Sequence, residues 1–261
     1  MIDPGRVRLF VPEGLKGFKQ ALFDRIGQKL GGVIRGNISE LAALPDAYIP
    51  IIGCTPELKP LIAKWREKRR DFIYWDRGYA RRVFATWLPR GDNGGYYRWH
   101  LNSFQMQRIS VVPADRWLNL KTPLTPWRTE GAHVVVALPT PTYTRLHGVE
   151  NWLAETMRAL SFGTKRQIVI RDKESKRPLA DDLNGAHALV AHGTVAAVEA
   201  VIMGCPVFVS PDSAAALVGC TDINTIEKPS MPDRSAWVHS LAYCQFNEQE
   251  LVDGTLWRLI K

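Results

Sequence analysis

The sequence predicts an α/β protein whose strands form parallel sheets. Several segments of the second half are apolar almost throughout, which is typical of parallel strands covered by helices on both faces. Stretches with apolar residues three or four positions apart separate these segments and predict helices. In the first half, strand-like and helix-like stretches also alternate, and this order favours an open α/β layer.

The elements of the first half are predicted from local patterns. Strands are predicted at 7–11, 48–52 and 72–75, and helices at 15–30 and 56–69. Residues 87–131 differ, because GDNGG, many aromatic residues and several prolines predict loops and short antiparallel strands. The segment ends with Pro123, Pro126 and Gly131. We therefore expect a boundary there, with one lobe at 1–131 and a second at 132–261.

The elements of the second half give a clearer pattern. Strands are predicted at 133–138, 167–170, 186–191 and 206–209, and helices at 149–160 and 194–203. Gly204 directly follows the second helix, in the position where a left-handed residue commonly ends a helix. Residues 235–260 have the apolar spacing of a helical tail.

Composition narrows the range of partners and compartments. The 261-residue chain has a formal net charge of +8, which favours a polyanionic or phosphate-bearing partner or serves solubility alone. The four cysteines form no CxxC pair and are predicted to be small buried side chains of a reducing compartment. No apolar run has the length of a membrane span, and the first residues do not resemble a signal peptide. We expect a soluble, cytoplasmic protein.

The segment at 188–209, ALVAHGTVAAVEAVIMGCPVFV, carries the most specific chemistry. A buried strand ends at His192, and Gly193 permits a tight turn and a close approach of a ligand to the main chain. Thr194 is expected to cap the next helix, whose free N–H groups and dipole form an anion site. Glu199, further along that helix, can accept hydrogen bonds from the hydroxyls of a ribose. The alternative is an ordinary strand-turn-helix with a solvated Glu199.

This segment resembles the donor-binding segment of glycosyltransferases with two Rossmann-like lobes and a central cleft, the GT-B architecture. It is similar to that of bacterial capsule-polysaccharide transferases and, more distantly, to that of the N-acetylglucosaminyl transferase of peptidoglycan synthesis. In those families a small-residue turn precedes a helix carrying Glu, and Gly-x-Pro follows, here Gly204-Cys205-Pro206. The resemblance covers about residues 132–250. It implies that Gly193 and Thr194 contact the donor diphosphate and that Glu199 holds the ribose.

Further donor-site residues are predicted at the ends of neighbouring strands. Arg171 and Lys173 follow the strand at 167–170, where two cations suit a diphosphate leaving group. The His-Pro pair often found there in related transferases is absent, so a charged surface turn is the alternative. Ser210 and Ser213 follow the next strand and are expected to line the same cleft. His192 lies beside the predicted phosphates and can donate a hydrogen bond to them or to the sugar.

The first lobe is predicted to hold the acceptor and the catalytic base. Asp76 is expected directly after a strand at the rim of the cleft, where a carboxylate can deprotonate an acceptor hydroxyl, and His100 is the second candidate base. A buried structural histidine is the alternative for His100. Basic and aromatic side chains between 64 and 82 can follow a polyanion and stack on bases or sugars. Those predicted to contact the acceptor are Arg77, Tyr79, Arg81 and Arg82.

Together these features predict a metal-independent enzyme, without a bound cofactor, that transfers a sugar from a nucleotide-diphosphate donor, expected to be UDP-linked, to a hydroxyl. One acceptor is a hydroxymethylated base in DNA, as in DNA-modifying phage glycosyltransferases, and another is a surface glycan. A nucleotide-sugar epimerase and a non-catalytic nucleotide- or DNA-binding module remain alternatives. The sequence contains neither the P-loop motif nor a GxGxxG after any predicted strand, which disfavours ATPases and nicotinamide enzymes.

Overall fold

The computed structural model describes residues 2–13, 23–24, 27–28, 30, 32–80, 95–175 and 177–260. The chain divides into two compact units: unit 1 comprises 1–104 and 243–261, and unit 2 comprises 105–242. Each unit contains a sheet with parallel strands, so the predicted α/β class with two Rossmann-like halves is confirmed. The units begin and end at other residues than the lobes expected from the sequence. Residues 105–131 pack with unit 2, and the last residues return to unit 1.

The strands of the described residues, in chain order, are β1 (Val7–Pro12), β2 (Val33–Gly36), β3 (Ile49–Ile52), β4 (Ile73–Arg77), β5 (Tyr97–Leu101), β6 (His133–Ala137), β7 (Gln167–Arg171), β8 (Ala186–Ala191), β9 (Val207–Val209) and β10 (Gln245–Phe246). The α-helices are α1 (Ile38–Ala42), α2 (Lys59–Glu67), α3 (Asp115–Asn119), α4 (Pro141–His147), α5 (Trp152–Gly163), α6 (Leu179–Leu183), α7 (Val195–Ile202), α8 (Ser235–Ala242), α9 (Glu248–Val252) and α10 (Thr255–Leu259). None of these helices combines the length and apolar character that crossing a bilayer requires, within the part of the chain that is described.

The sheet of unit 1 has the order β10-β5-β4-β3-β1-β2. Its strands β1 to β4 pair in parallel, whereas β5 is antiparallel to β4 and β10 is antiparallel to β5. Side chains alternate between the two faces of β4 and β5, because successive residues of a strand point in opposite directions. Trp75, Tyr97 and Trp99 pack into the apolar core on one face. The opposite face carries the polar side chains of Arg98 and His100, which are also buried.

The sheet of unit 2 is entirely parallel, with the order β7-β6-β8-β9. Its central strands are buried along almost their whole length, as their unbroken apolar sequences predict. Helix α7 leads from β8 to β9, and Gly204 follows it with φ +77°, the left-handed conformation expected of a helix-ending glycine.

Several elements differ from the prediction. Strand β10 and the breaks around it interrupt the expected helical tail, because Gln245 and Phe246 pair with β5. One expectation is confirmed here: strand β5 lies in the segment predicted to hold loops and short antiparallel strands, and it pairs antiparallel with β4. Strand β2 and the helices α1, α3, α4 and α6 were not predicted. The predicted helix at 15–30 falls mostly outside the described residues.

Candidate functional site

The strand order of unit 2 identifies where a ligand can bind. The chain runs from β6 to β7 on one side and then returns to β8 on the other side of β6. In open α/β sheets, ligands bind beyond the carboxyl ends of the strands at such a reversal of strand order. The residues at this position are the loop after β6, which leads into α4, and the residues 192–194 after β8, here named the β8–α7 turn.

Close main-chain packing defines the β8–α7 turn. The carbonyl of His192 accepts a hydrogen bond from the N–H of Ser210 at 2.8 Å, which joins the turn to the end of β9. The side chain of Gln105 donates to the carbonyl of Gly193 at 2.5 Å and accepts from the N–H of Ala214 at 2.9 Å. A Cβ at Gly193 would lie 2.3 Å from the Tyr143 hydroxyl. Glycine is therefore needed at position 193 so that the Tyr143 hydroxyl can approach the main chain closely.

Thr194 occupies the N-cap position of α7, but the expectation that its hydroxyl caps the helix is wrong. Its backbone is extended, with φ −77° and ψ 152°, as an N-cap residue requires. Its hydroxyl makes no capping bond, and Oγ1 is buried without a hydrogen-bond partner among the described residues. Among the described residues the Ala197 N–H donates to the Thr194 carbonyl at 3.1 Å, so the N–H groups of Val195 and Ala196 are the ones left for an anion.

His192 lies in a cluster of ring side chains. Its Nδ1 is 3.0 Å from the hydroxyl of Tyr143. The ring of Tyr143 stacks on His147 with centroids 4.0 Å apart, and the rings of Trp152 and His192 are perpendicular, with centroids 6.2 Å apart. Burial lowers the pKa of His192 below its usual value, although the carboxylate of Asp212 acts in the opposite direction. The imidazole is therefore neutral near pH 7.

The other residues predicted around the donor site occupy defined positions. Glu199 lies in α7 and is partly buried. Ser213 is buried, and its hydroxyl accepts from the N–H of Ala215 at 3.2 Å, capping the 3-10 helix Ala214–Leu217. The hydroxyl of Ser210 accepts from the N–H of Asp212 at 3.4 Å. Both serines thus shape the loop after β9, and their contact with a donor stays a prediction.

Arg171 and Lys173 lie at the end of β7, which is separated from β8 by β6. Two strand spacings, about 10 Å, therefore separate the ends of β7 and β8. Arg171 pairs with the buried carboxylate of Asp182, which Arg177 also contacts at 2.8 Å. Arg171 is therefore held by a partner that was not predicted, and the two arginines share this single carboxylate. Lys173 is exposed in the turn that follows.

The predicted catalytic carboxylate lies in unit 1 within a strand. Asp76 belongs to β4, so the expectation that it follows the strand is wrong. Its carboxylate pairs with Arg98 at 2.8 Å and accepts from the hydroxyl of Tyr74 at 3.1 Å. The Asp76 side chain is 36% exposed, so its carboxylate can pair with Arg98 and still face solvent. Arg77, the next residue, is exposed at the end of the strand.

His100 and Tyr79 fill the interior of unit 1. Their side chains are 3% and 0% exposed, and Tyr79 Oη lies 2.8 Å from His100 Nε2. Burial, with a further contribution from Arg98, lowers the pKa of His100 to about 3. This arrangement corresponds to the alternative of a buried structural histidine. Arg81 and Arg82 lie outside the described residues.

Four residues that the sequence analysis did not single out form part of the site in unit 2. They are Gln105, Tyr143, His147 and Trp152. The spacing of Tyr143 and His147, four positions apart and just after a buried strand, places both on one helix face and was a usable signal. Gln105 and Trp152 approach the turn only through tertiary packing.

Comparisons with known proteins give structural similarity without sequence similarity. No protein-family model matches the chain, and no curated protein sequence matches it. The KpsC β-Kdo 2,7 transferase of Thermosulfurimonas dismutans has a similar structure, with a TM-score of 0.55 and 11% identity over 95% of this chain and 99% of that one. The KpsC β-Kdo 2,4 transferase of the same organism gives a TM-score of 0.52 and 11% identity over 94% and 93%. These similarities establish a shared fold.

Proposed function

We propose that this chain is a glycosyltransferase that takes its sugar from a nucleotide-linked donor bound by unit 2. The uncapped amino end of α7, located where the strand order reverses, is the observation that carries the proposal. The buried hydroxyl of Thr194 has no partner among the described residues and would gain one from a phosphate oxygen. The structural neighbours, both named as Kdo transferases, support transfer of a sugar.

Each residue of the site has a role in this proposal. Main-chain N–H groups after Gly193 and the hydroxyl of Thr194 bind the phosphate, and the dipole of α7 stabilises the charge of the departing nucleotide. His192 supplies a neutral hydrogen-bond donor beside it. Glu199 accepts hydrogen bonds from the ribose hydroxyls. We propose a diphosphate of uridine as the donor nucleotide and a reaction that proceeds without a bound metal.

The acceptor is proposed from two different observations. A surface glycan is favoured by the neighbours, which are named as KpsC β-Kdo transferases. A hydroxymethylated base in DNA is favoured by the net charge of +8 and by exposed cations of α2 and its end, including Lys64, Arg66 and Lys68. We propose Asp76 as the base for either acceptor, because its carboxylate is partly exposed whereas His100 is buried.

A donor screen with a matched pair of variants tests the donor site. Wild-type protein is heated with a panel of nucleotide sugars that includes UDP-linked sugars and nucleotide-activated Kdo. Glu199→Ala should weaken donor binding about ten- to hundredfold, because it removes hydrogen bonds to a charged group worth about 1.5–3 kcal/mol. Glu155→Ala removes an exposed carboxylate from α5 of the same unit and should leave the donor-induced shift unchanged. An undiminished shift in Glu199→Ala would exclude Glu199 as the ribose ligand.

Product analysis then separates the classes of function. The donor that binds is incubated with a glycan acceptor ending in Kdo and, separately, with DNA containing 5-hydroxymethyl pyrimidines. Mass spectrometry of the acceptor shows transfer to either one, and chromatography of the donor shows epimerisation. Binding without any reaction on all three substrates would support a non-catalytic module and contradict the proposed transferase.

A further inference from the structure

The contact between Tyr143 and His192 is the feature of unit 2 that the proposed roles leave unexplained. Tyr143 Oη lies 3.0 Å from His192 Nδ1, and the two residues come from the segments on either side of the strand-order reversal. The other ring nitrogen, Nε2, has no hydrogen-bond partner among the described residues. Since His192 is only half-buried, that nitrogen is accessible to a ligand.

The chemistry of the two groups fixes the direction of this hydrogen bond. A phenol is a stronger donor than a neutral imidazole N–H, and an imidazole nitrogen is a stronger acceptor than a phenol oxygen. With a neutral ring, the Tyr143 hydroxyl therefore donates to Nδ1. The ring proton must then reside on Nε2, because the partner of one ring nitrogen determines the state of the other.

Packing holds the pair in this arrangement. Tyr143 is stacked on His147, and the hydroxyl of Thr140 accepts from the Tyr143 N–H at 3.2 Å, which fixes the start of α4. Trp152 packs perpendicular to the ring of His192. The titratable and charged groups facing the imidazole are Tyr143 and His147 of α4 and Asp212 of the loop after β9.

We propose that Tyr143 is a positioning residue that keeps His192 in its Nε2–H form, so that this N–H is directed to the phosphate bound by the β8–α7 turn. The inference rests on the proposed function for the identity of the ligand. It deepens that function by assigning His192 the role of a fixed donor and Tyr143 the role of its orienting partner. Tyr143 acts through His192 and is not itself placed on the donor.

The tautomer is measured directly in the protein without any substrate. Histidine labelled with nitrogen-15 is incorporated, and the two-bond correlations of His192 are recorded for wild type, Tyr143→Phe and Tyr48→Phe. Wild type should show the Nε2–H form, Tyr143→Phe a mixture of both neutral forms, and Tyr48→Phe the wild-type pattern. Tyr48 lies in unit 1 and serves as the matched tyrosine control. A wild-type Nδ1–H form, or an unchanged pattern in Tyr143→Phe, would overturn the proposal.

Kinetics with substitutions at both positions then test the consequence for the donor. The amide nitrogen of glutamine lies close to the place of Nε2, so His192→Gln should retain more transfer than His192→Asn. Tyr143→Phe should lower kcat about tenfold when His192 is present. In the His192→Gln background it should leave kcat unchanged, because no imidazole remains to be oriented. Equal losses in both backgrounds would show a merely structural tyrosine. If no nucleotide sugar reacts with wild type, the proposed function fails while the tautomer result still decides the role of Tyr143.

Discussion

Replacing Gly193 with alanine is a direct test of the packing that defines the β8–α7 turn. The new Cβ would lie 2.3 Å from Tyr143 Oη and 3.2 Å from Gln105 Nε2. Ordinary contact begins near 3.4 Å, so the hydroxyl must retreat by about 1 Å even in the most favourable case. That displacement breaks the 3.0 Å hydrogen bond to His192.

The expected loss of stability follows from the crowding at the new Cβ and from the broken hydrogen bond. Overpacking of a tight interior costs about 1–3 kcal/mol, and the lost hydrogen bond adds about 1 kcal/mol. We therefore expect a loss of about 2–4 kcal/mol in the free energy of unfolding, which corresponds to a decrease of about 5–15 °C in melting temperature for a unit of this size. Donor binding should weaken as well, because the turn and His192 both move.

Calorimetry and donor titration measure the two consequences. Gly53→Ala is the matched control, because the nearest described atom to a Cβ there would be 3.8 Å away. Its free energy of unfolding should stay within about 1 kcal/mol of wild type. If Gly193→Ala melts like wild type and binds donor equally well, Tyr143 does not crowd Gly193, and the described packing of the turn is wrong.

Two further predictions concern stability. Arg234 is buried and donates to the carbonyls of Val201 and Thr125. Arg234→Ala should therefore lower the free energy of unfolding, measured by urea denaturation, by about 2–4 kcal/mol. The exposed control Arg258→Ala should leave it unchanged. His100 has a pKa of about 3 in the folded state, below the unfolded value of 6.5, so the unfolded state binds the extra proton. Stability is fully present above pH 6.5 and should fall by about 1.4 kcal/mol per unit as pH decreases towards 3. This slope should be smaller in His100→Gln, and an equal slope would contradict the assignment.

Local sequence patterns predict the elements that are stabilised by local properties. The apolar segments that became β6 and β8 are buried throughout, and burial on both faces is what removes polar alternation from a strand. Gly204 ends α7 in the left-handed conformation, for which glycine has no steric penalty. The sequence also predicts the β8–α7 turn, because its strand, glycine and helix are adjacent in the chain.

The features that were missed depend on residues far apart in the chain. Strand β10 forms because Gln245 and Phe246 pair with β5, and nothing in the helical spacing of the tail reveals that partner. The charge of Arg171 predicted an anion site, but folding places Arg171 in an ion pair with Asp182, which also pairs with Arg177. Tyr143 reaches His192 across 49 positions of sequence, so only the strand order brings them together.

The return of the last residues to unit 1 has a consequence for how the chain acquires its structure during synthesis. Strand β5 obtains its second neighbour, β10, only after the whole of unit 2 has left the ribosome. Unit 2, by contrast, is one uninterrupted segment and needs no residue beyond 242 to complete its sheet. The sheet of unit 1 is thus completed last, and one edge of β5 stays unpaired until β10 has been synthesised.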